Sequence, residues 1–140
     1  MITLAHTTQT TTANPATLFA VWADINNWAS HDHGIEWAKL DEPFAAGAHY
    51  RLKPKGGPSV RATILTVETD QRFVDVSHLW GAKLRFDHRV TTDQGITTVD
   101  VTMTLDGPLR ALWAKILGKN QQADLEQSTA NQIAAAEARA

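Results

Sequence analysis

Lys83-Leu-Arg-Phe-Asp-His-Arg-Val-Thr91 and Ile96-Thr-Thr-Val-Asp-Val-Thr-Met-Thr-Leu105 alternate with a period of two. In the first stretch Leu84, Phe86, His88 and Val90 share one face, and Lys83, Arg85, Asp87 and Arg89 share the other. In the second, Val99, Val101, Met103 and Leu105 oppose Thr98, Asp100, Thr102 and Thr104. One face wet and one covered is the pattern of an antiparallel sheet. Upstream, Val60–Thr69 and Phe73–Trp80 read as two more strands. Their connections (Asp70-Gln71, Gly81-Ala82 and Thr92-Asp-Gln-Gly95) suit hairpins, whereas parallel strands need a dozen or more residues between them. Ile35–Leu40 and His49–Lys53 are short strands, separated by a turn over Pro43–Gly47. The latter is followed by the turn-rich Pro54-Lys-Gly-Gly-Pro58. Residues 2–12, β-branched and roughly alternating, form a first strand.

Two helical regions flank this sheet. Asn14 is a good N-cap and Pro15 suits the first helical position, where its missing N–H is no loss. Leu18, Phe19, Val21, Trp22 and Ile25 then follow helical spacing. Asp24–Gly34 is polar and reads as one further helical turn plus a loop that carries Trp28. Asp106-Gly107-Pro108 ends the sheet, and helical spacing returns over Leu109, Leu112, Trp113, Ile116, Leu117, Leu125 and Ile133. A run of 30-odd residues spans roughly 45 Å, with Gly118 a point for a kink or break and a fraying end near Ala140.

The chain has 140 residues, with 13 Lys+Arg against 15 Asp+Glu, five Trp and no Cys. That length fits one domain over residues 1–140 that holds a real core without staples. Disulfides, thiolate ligands and cysteine nucleophiles are excluded. Near-neutral charge argues against a nucleic-acid partner. No signal-peptide pattern opens the chain and no apolar run of about 18 residues occurs, so no membrane span and a cytoplasmic location are expected. Monomer and homodimer both stay open.

The order of strand, two short helices, six strands and a long C-terminal helix resembles the helix-grip superfamily of START, Bet v 1-like and polyketide cyclase/dehydrase proteins. The resemblance covers the whole chain. It is carried by Trp22-Ala-Asp-Ile-Asn-Asn-Trp28, Phe86-Asp-His-Arg-Val90, the Gly95-Ile-Thr-Thr-Val stretch, and Asp106-Gly-Pro-Leu109 with Leu117-Gly118 beyond it. It implies an α+β fold with a curved seven-stranded antiparallel sheet around the C-terminal helix. It also implies a cavity between the two for an apolar or aromatic small molecule such as a lipid or polyketide, with no cofactor. In relatives a second aromatic often follows the equivalent of Trp28. Here the run is Trp28-Ala-Ser-His31, which sets an imidazole at the expected entrance.

The expected lining residues are His31, Trp37, Tyr50, His78, Trp80, Phe86, His88, Met103, Trp113 and Leu117. His88, on a covered face, is either an acid/base or polar anchor in the cavity, or a buried ring satisfied by a neighbouring group. The strand before it has two possible phases. Val74, Val76, His78 and Trp80 face inward, or Phe73, Asp75, Ser77 and Leu79 do. The first is preferred, because an inward Asp is expensive without a partner. Trp22 and Trp28 are expected to pack the short helices on the sheet. His31-Asp-His33 lacks the ligand count and spacing of a metal site, so no metal is expected. Lys53-Pro-Lys-Gly-Gly-Pro58 lacks the ending of a phosphate loop, and no Gly-x-Ser-x-Gly elbow occurs. Three readings follow: a binder of a hydrophobic small molecule, a cyclase- or dehydratase-type enzyme that uses His88, and a protein-interaction module with a filled cavity.

Overall fold

The computed structural model describes residues 1–139; Ala140, at the fraying end expected of the last helix, lies outside them. The strands are β1 (Ile2–Thr11), β2 (Ile35–Leu40), β3 (His49–Pro54), β4 (Val60–Glu68), β5 (Arg72–Leu79), β6 (Ala82–Asp93) and β7 (Ile96–Asp106). They form one antiparallel sheet in the order β1-β7-β6-β5-β4-β3-β2. Consecutive strands pair through hairpins from β2 to β7, and only β1 returns from the far end to lie beside β7.

Between β1 and β2 come α1 (Pro15–Ala23) and a 3-10 helix (Ile25–Ser30). The Asn14 carboxamide accepts the Thr17 N–H at 2.8 Å, and Pro15 occupies the first turn. The Trp28 indole N–H then donates to the carbonyls of Val21 and Trp22 at 3.3 and 3.2 Å, and so caps the C-terminus of α1. This cap folds the 3-10 turn under the helix and aims the Trp28 ring at the sheet.

The C-terminal run is two helices. α2 (Arg110–Leu117) and α3 (Gln121–Arg139) are separated at Gly118, whose φ of 83° leaves the helical region. A side chain there would strain the backbone, and glycine alone takes that angle freely. The C-terminal helix that grips the sheet is thus α3, about 28 Å long. Its buried face is Leu125, Thr129, Ile133 and Ala136. Polar contacts fix it on two sides. Gln122 bonds both backbone groups of His6, and Gln9 donates to the Glu126 carbonyl. Across the helix Gln132 accepts from the Trp22 indole, Ser128 donates to Asp32, and Arg139 pairs with Asp24. Asp32 is therefore a strut between the loop and α3, which gives the His31-Asp-His33 run a structural use. Among the described residues, no group of three His, Cys, Asp or Glu side chains is placed to hold a metal ion.

The close approach of the β5–β6 turn to the end of β7 rests on Gly107, at φ 108°. A Cβ there would lie 2.8 Å from the Gly81 carbonyl oxygen and 2.9 Å from the Ala82 Cα. Both are backbone atoms with nowhere to go. Gly107→Ala should therefore destabilise by about 2 kcal/mol or more, against a few tenths for a surface change. Urea denaturation reads it directly.

Candidate functional site

The alternation of β6 holds: Leu84 and Val90 are buried, Phe86 is half-buried, and His88 is 7% exposed. Register then decides β5. Phe73 pairs with His88, Asp75 with Phe86, and Ser77 with Leu84. Directly paired residues share a face, so Phe73, Asp75 and Ser77 point into the interior. The preferred phase for β5 is corrected. His78 is exposed, and Trp80 is 80% exposed at the turn. Val74 and Val76 are buried, yet they stand apart from the hydrophobic core.

What makes an inward Asp75 tolerable is Tyr50. On β3, Tyr50 pairs with Ala62, and Ala62 pairs with Ser77 across β4. Alanine on the intervening strand leaves room for the phenol to cross, and the Tyr50 hydroxyl donates to Asp75 Oδ2. Both side chains are buried, Asp75 at 3% exposed. Asp75 Oδ1 has no hydrogen-bond partner, and neither does the buried Thr129 Oγ1 on α3. One orphan polar atom thus belongs to the sheet and one to the helix that grips it. Burial pushes the Asp75 carboxyl up to about 7, with the Tyr50 hydrogen bond opposing in part. Burial and the adjacent carboxylate also push the Tyr50 phenol well above its usual range.

Aromatic rings enclose this pair. The Trp28 ring meets Tyr50 edge-on, with centroids 5.5 Å apart, and Phe44 lies 5.1 Å from Phe73. His88 stacks on Phe73 at 4.9 Å and lies 5.2 Å from Trp22. Its Nδ1–H donates to the Phe73 carbonyl at 3.0 Å, and burial holds the ring neutral with its pKa down at about 4. Of the two sequence readings of His88, the geometry is that of a buried ring satisfied by a neighbouring backbone group.

The remaining expected residues separate into inner and outer positions. Met103 is buried opposite Phe86, so Tyr50, Phe86, His88 and Met103 come together on the concave face. Trp37, paired with Lys53, is 38% exposed on the outer face, opposite to Ala38 and Leu40, whose partners Leu52 and Tyr50 face inward. His31 ends the 3-10 helix, partly buried, with its pKa lowered chiefly by burial. Trp113 and Leu117 sit half-buried on α2 at the end of the sheet, the Trp113 indole donating to the Trp80 carbonyl at 2.7 Å. Ile116, on the same helix, is 59% exposed. Asp75 belongs to the phase of β5 that the sequence reading does not prefer, while Tyr50 is among its expected lining residues. Two surface depressions of about 430 and 460 Å³ lie away from this interior, one beside Arg72 and Arg89 and the other beside His78 and Lys83.

A curled seven-stranded antiparallel sheet, paired helices after β1 and a gripping C-terminal helix define the START and Bet v 1-like fold. Comparison with solved structures agrees. A START superfamily protein from Mycobacterium smegmatis superposes with a TM-score of 0.70 at 11% identity over 99% of each chain. Norcoclaurine synthase from Thalictrum flavum, in complex with dopamine and hydroxybenzaldehyde, gives 0.73 at 9% identity, covering 96% of this chain and 86% of that one. A protein from Thermus thermophilus gives 0.76 at 14% identity over 97% and 98%. No protein of curated function matches the sequence. The chain belongs to the polyketide cyclase/dehydrase and lipid transport family, whose match runs over residues 1–137. Among the described residues no helix is long and apolar enough to cross a membrane.

Proposed function

We propose that this protein binds a small molecule with an apolar or aromatic body and a hydrogen-bond donor, held between the sheet and α3. The observation that carries the reading is Asp75 Oδ1, a buried carboxylate oxygen without a partner in an aromatic interior. An unsatisfied buried acceptor costs about 1–3 kcal/mol, which a ligand donor would return on binding. Tyr50 fixes the other oxygen and so sets the carboxyl's orientation, while Trp28, Phe73 and Phe86 supply apolar walls. One polar anchor in an apolar wall is the usual make-up of such a site.

Native mass spectrometry of the purified chain, then a thermal-shift panel of phenols and aromatic amines beside matched hydrocarbons without the donor, tests the reading. Donor-bearing compounds should stabilise the chain by about 2.7 kcal/mol at a hundredfold excess over Kd. Asp75→Asn and Tyr50→Phe should weaken them selectively. No co-purified mass and no shift with any compound, or equal binding by both variants, would sink the proposal. A second reading rests on the carboxyl at about 7, a value suited to acid–base chemistry near neutrality. On that reading the proton carrier is Asp75 in place of His88, and turnover by the His88→Phe variant separates the two.

A further inference from the structure

We propose that the end of the molecule formed by the β5–β6 turn and α2 docks on an anionic lipid bilayer. Three large apolar side chains stand exposed there: Trp80 at 80%, Leu112 at 50% and Ile116 at 59%. Leu112 and Ile116 are four residues apart and share one face of α2. The helix is held against the turn by two hydrogen bonds, Trp113 indole to the Trp80 carbonyl at 2.7 Å and Leu109 N–H to the Gly81 carbonyl at 2.9 Å. An exposed apolar cluster rimmed by polar residues marks an interaction site.

The rim says what interacts. Residues 107–123 carry Arg110, Lys115 and Lys119 and no acid, in a chain whose net charge is −2. Lys83, on β6 beside the turn, adds a fourth cation. Among the described residues none of these four forms a salt bridge. Asp106, next along the chain, faces the N-terminal ammonium at 3.9 Å. A second copy of this chain would set two positive rims against each other. A nucleic acid would engage the cations and leave Leu112 and Ile116 without gain. A bilayer with anionic headgroups uses both features, with Lys and Arg at the phosphate level and Trp, Leu and Ile in the interfacial layer.

Co-sedimentation of the full chain with vesicles tests the docking, comparing pure phosphatidylcholine with a mixture containing one-third phosphatidylglycerol. The chain should pellet with the anionic vesicles alone and be released by high salt. Lys115→Gln with Lys119→Gln should lower the partition about twenty-five-fold, each cation near an anionic leaflet being worth about fivefold. Trp80→Ser with Leu112→Ser and Ile116→Ser should abolish pelleting with an unchanged circular dichroism spectrum. Trp80→Ser alone, at the most exposed of the three, should cut it severalfold. Three outcomes with vesicles overturn the proposal. They are no pelleting with anionic vesicles, pelleting that survives loss of the apolar side chains, and a dimer abolished by the triple variant in a chain that ignores vesicles. Tight binding of heparin or an oligonucleotide that depends on the lysines but not on Trp80, Leu112 or Ile116 would likewise assign the surface to a polyanion.

Discussion

Asp75→Asn should convert a shallow pH dependence of stability into a steep loss on acidification. In the folded chain Asp75 keeps its proton up to about pH 7, against an ordinary value of 3.8. The folded state therefore binds the extra proton across that window. This contribution to stability is fully present below 3.8 and is lost as pH rises through about 7. His88 works the other way. Its folded pKa is down at about 4, against 6.5 for a free imidazole, so the unfolded state binds the extra proton. Its contribution is present above 6.5 and lost as pH falls through about 4. Each slope is about 1.4 kcal/mol per pH unit, and from about pH 4 to 6.5 they cancel. His31 and His78, also lowered, add slopes of the same sign as His88 in both variants. The difference between the wild-type and Asp75→Asn curves therefore isolates the carboxyl. Urea midpoints taken across this window should diverge towards acid, with the variant less stable there and more stable above neutrality. Parallel curves would mean that Asp75 titrates as an ordinary carboxylate.

Where the fold could be read in the sequence, the information was local. The alternation of β6 and β7, the short connections and the Asn14-Pro15 helix start each need only a few consecutive residues. They lead to strands and hairpins that the register confirms. Gly118 marked the break between α2 and α3 for the same reason, since one residue's φ decides it. The phase of β5 is harder to read because residues on both its faces are buried, Phe73 and Asp75 on one and Val74 and Val76 on the other. The hairpin itself contained the answer. A two-residue turn at Trp80-Gly81 pairs Leu79 with Ala82, which brings Asp75 opposite Phe86 and into the interior. The preference for the other phase rests on the energetic objection to a buried Asp alone. The objection fails because Tyr50 lies two strands and 25 residues away, where no local pattern reveals it. The exposed rim at Trp80 and α2 was hidden differently. A net charge of −2 averages over the whole chain and conceals a stretch of 17 residues without an acid.

His88→Ala should lower stability by about 2–4 kcal/mol, a fall in Tm of roughly 10 °C for a domain this size. The ring is sandwiched in its cluster, stacked on Phe73 and close to Trp22 and Phe86. Removing it leaves a void that three large, well-anchored rings are poorly able to close. Trp22 is tied to Gln132 on α3, and Phe73 and Phe86 sit in neighbouring strands of the ladder. The surrounding backbone therefore cannot relax far, and the unfilled-cavity part of the penalty persists. An imidazole held for catalysis predicts a different result, with turnover lost and Tm nearly unchanged. His88→Phe separates packing from chemistry. It refills the volume and keeps a ring for stacking, but it loses the bond to the Phe73 carbonyl and the titration near pH 4. Most of the lost stability should return with Phe, and the acid-side slope carried by His88 should disappear with it. Recovery of Tm without loss of that slope would place the low-pH transition on another group. Failure of Phe to recover any stability would mean that the hydrogen bond to Phe73, and not the filled volume, holds this part of the core.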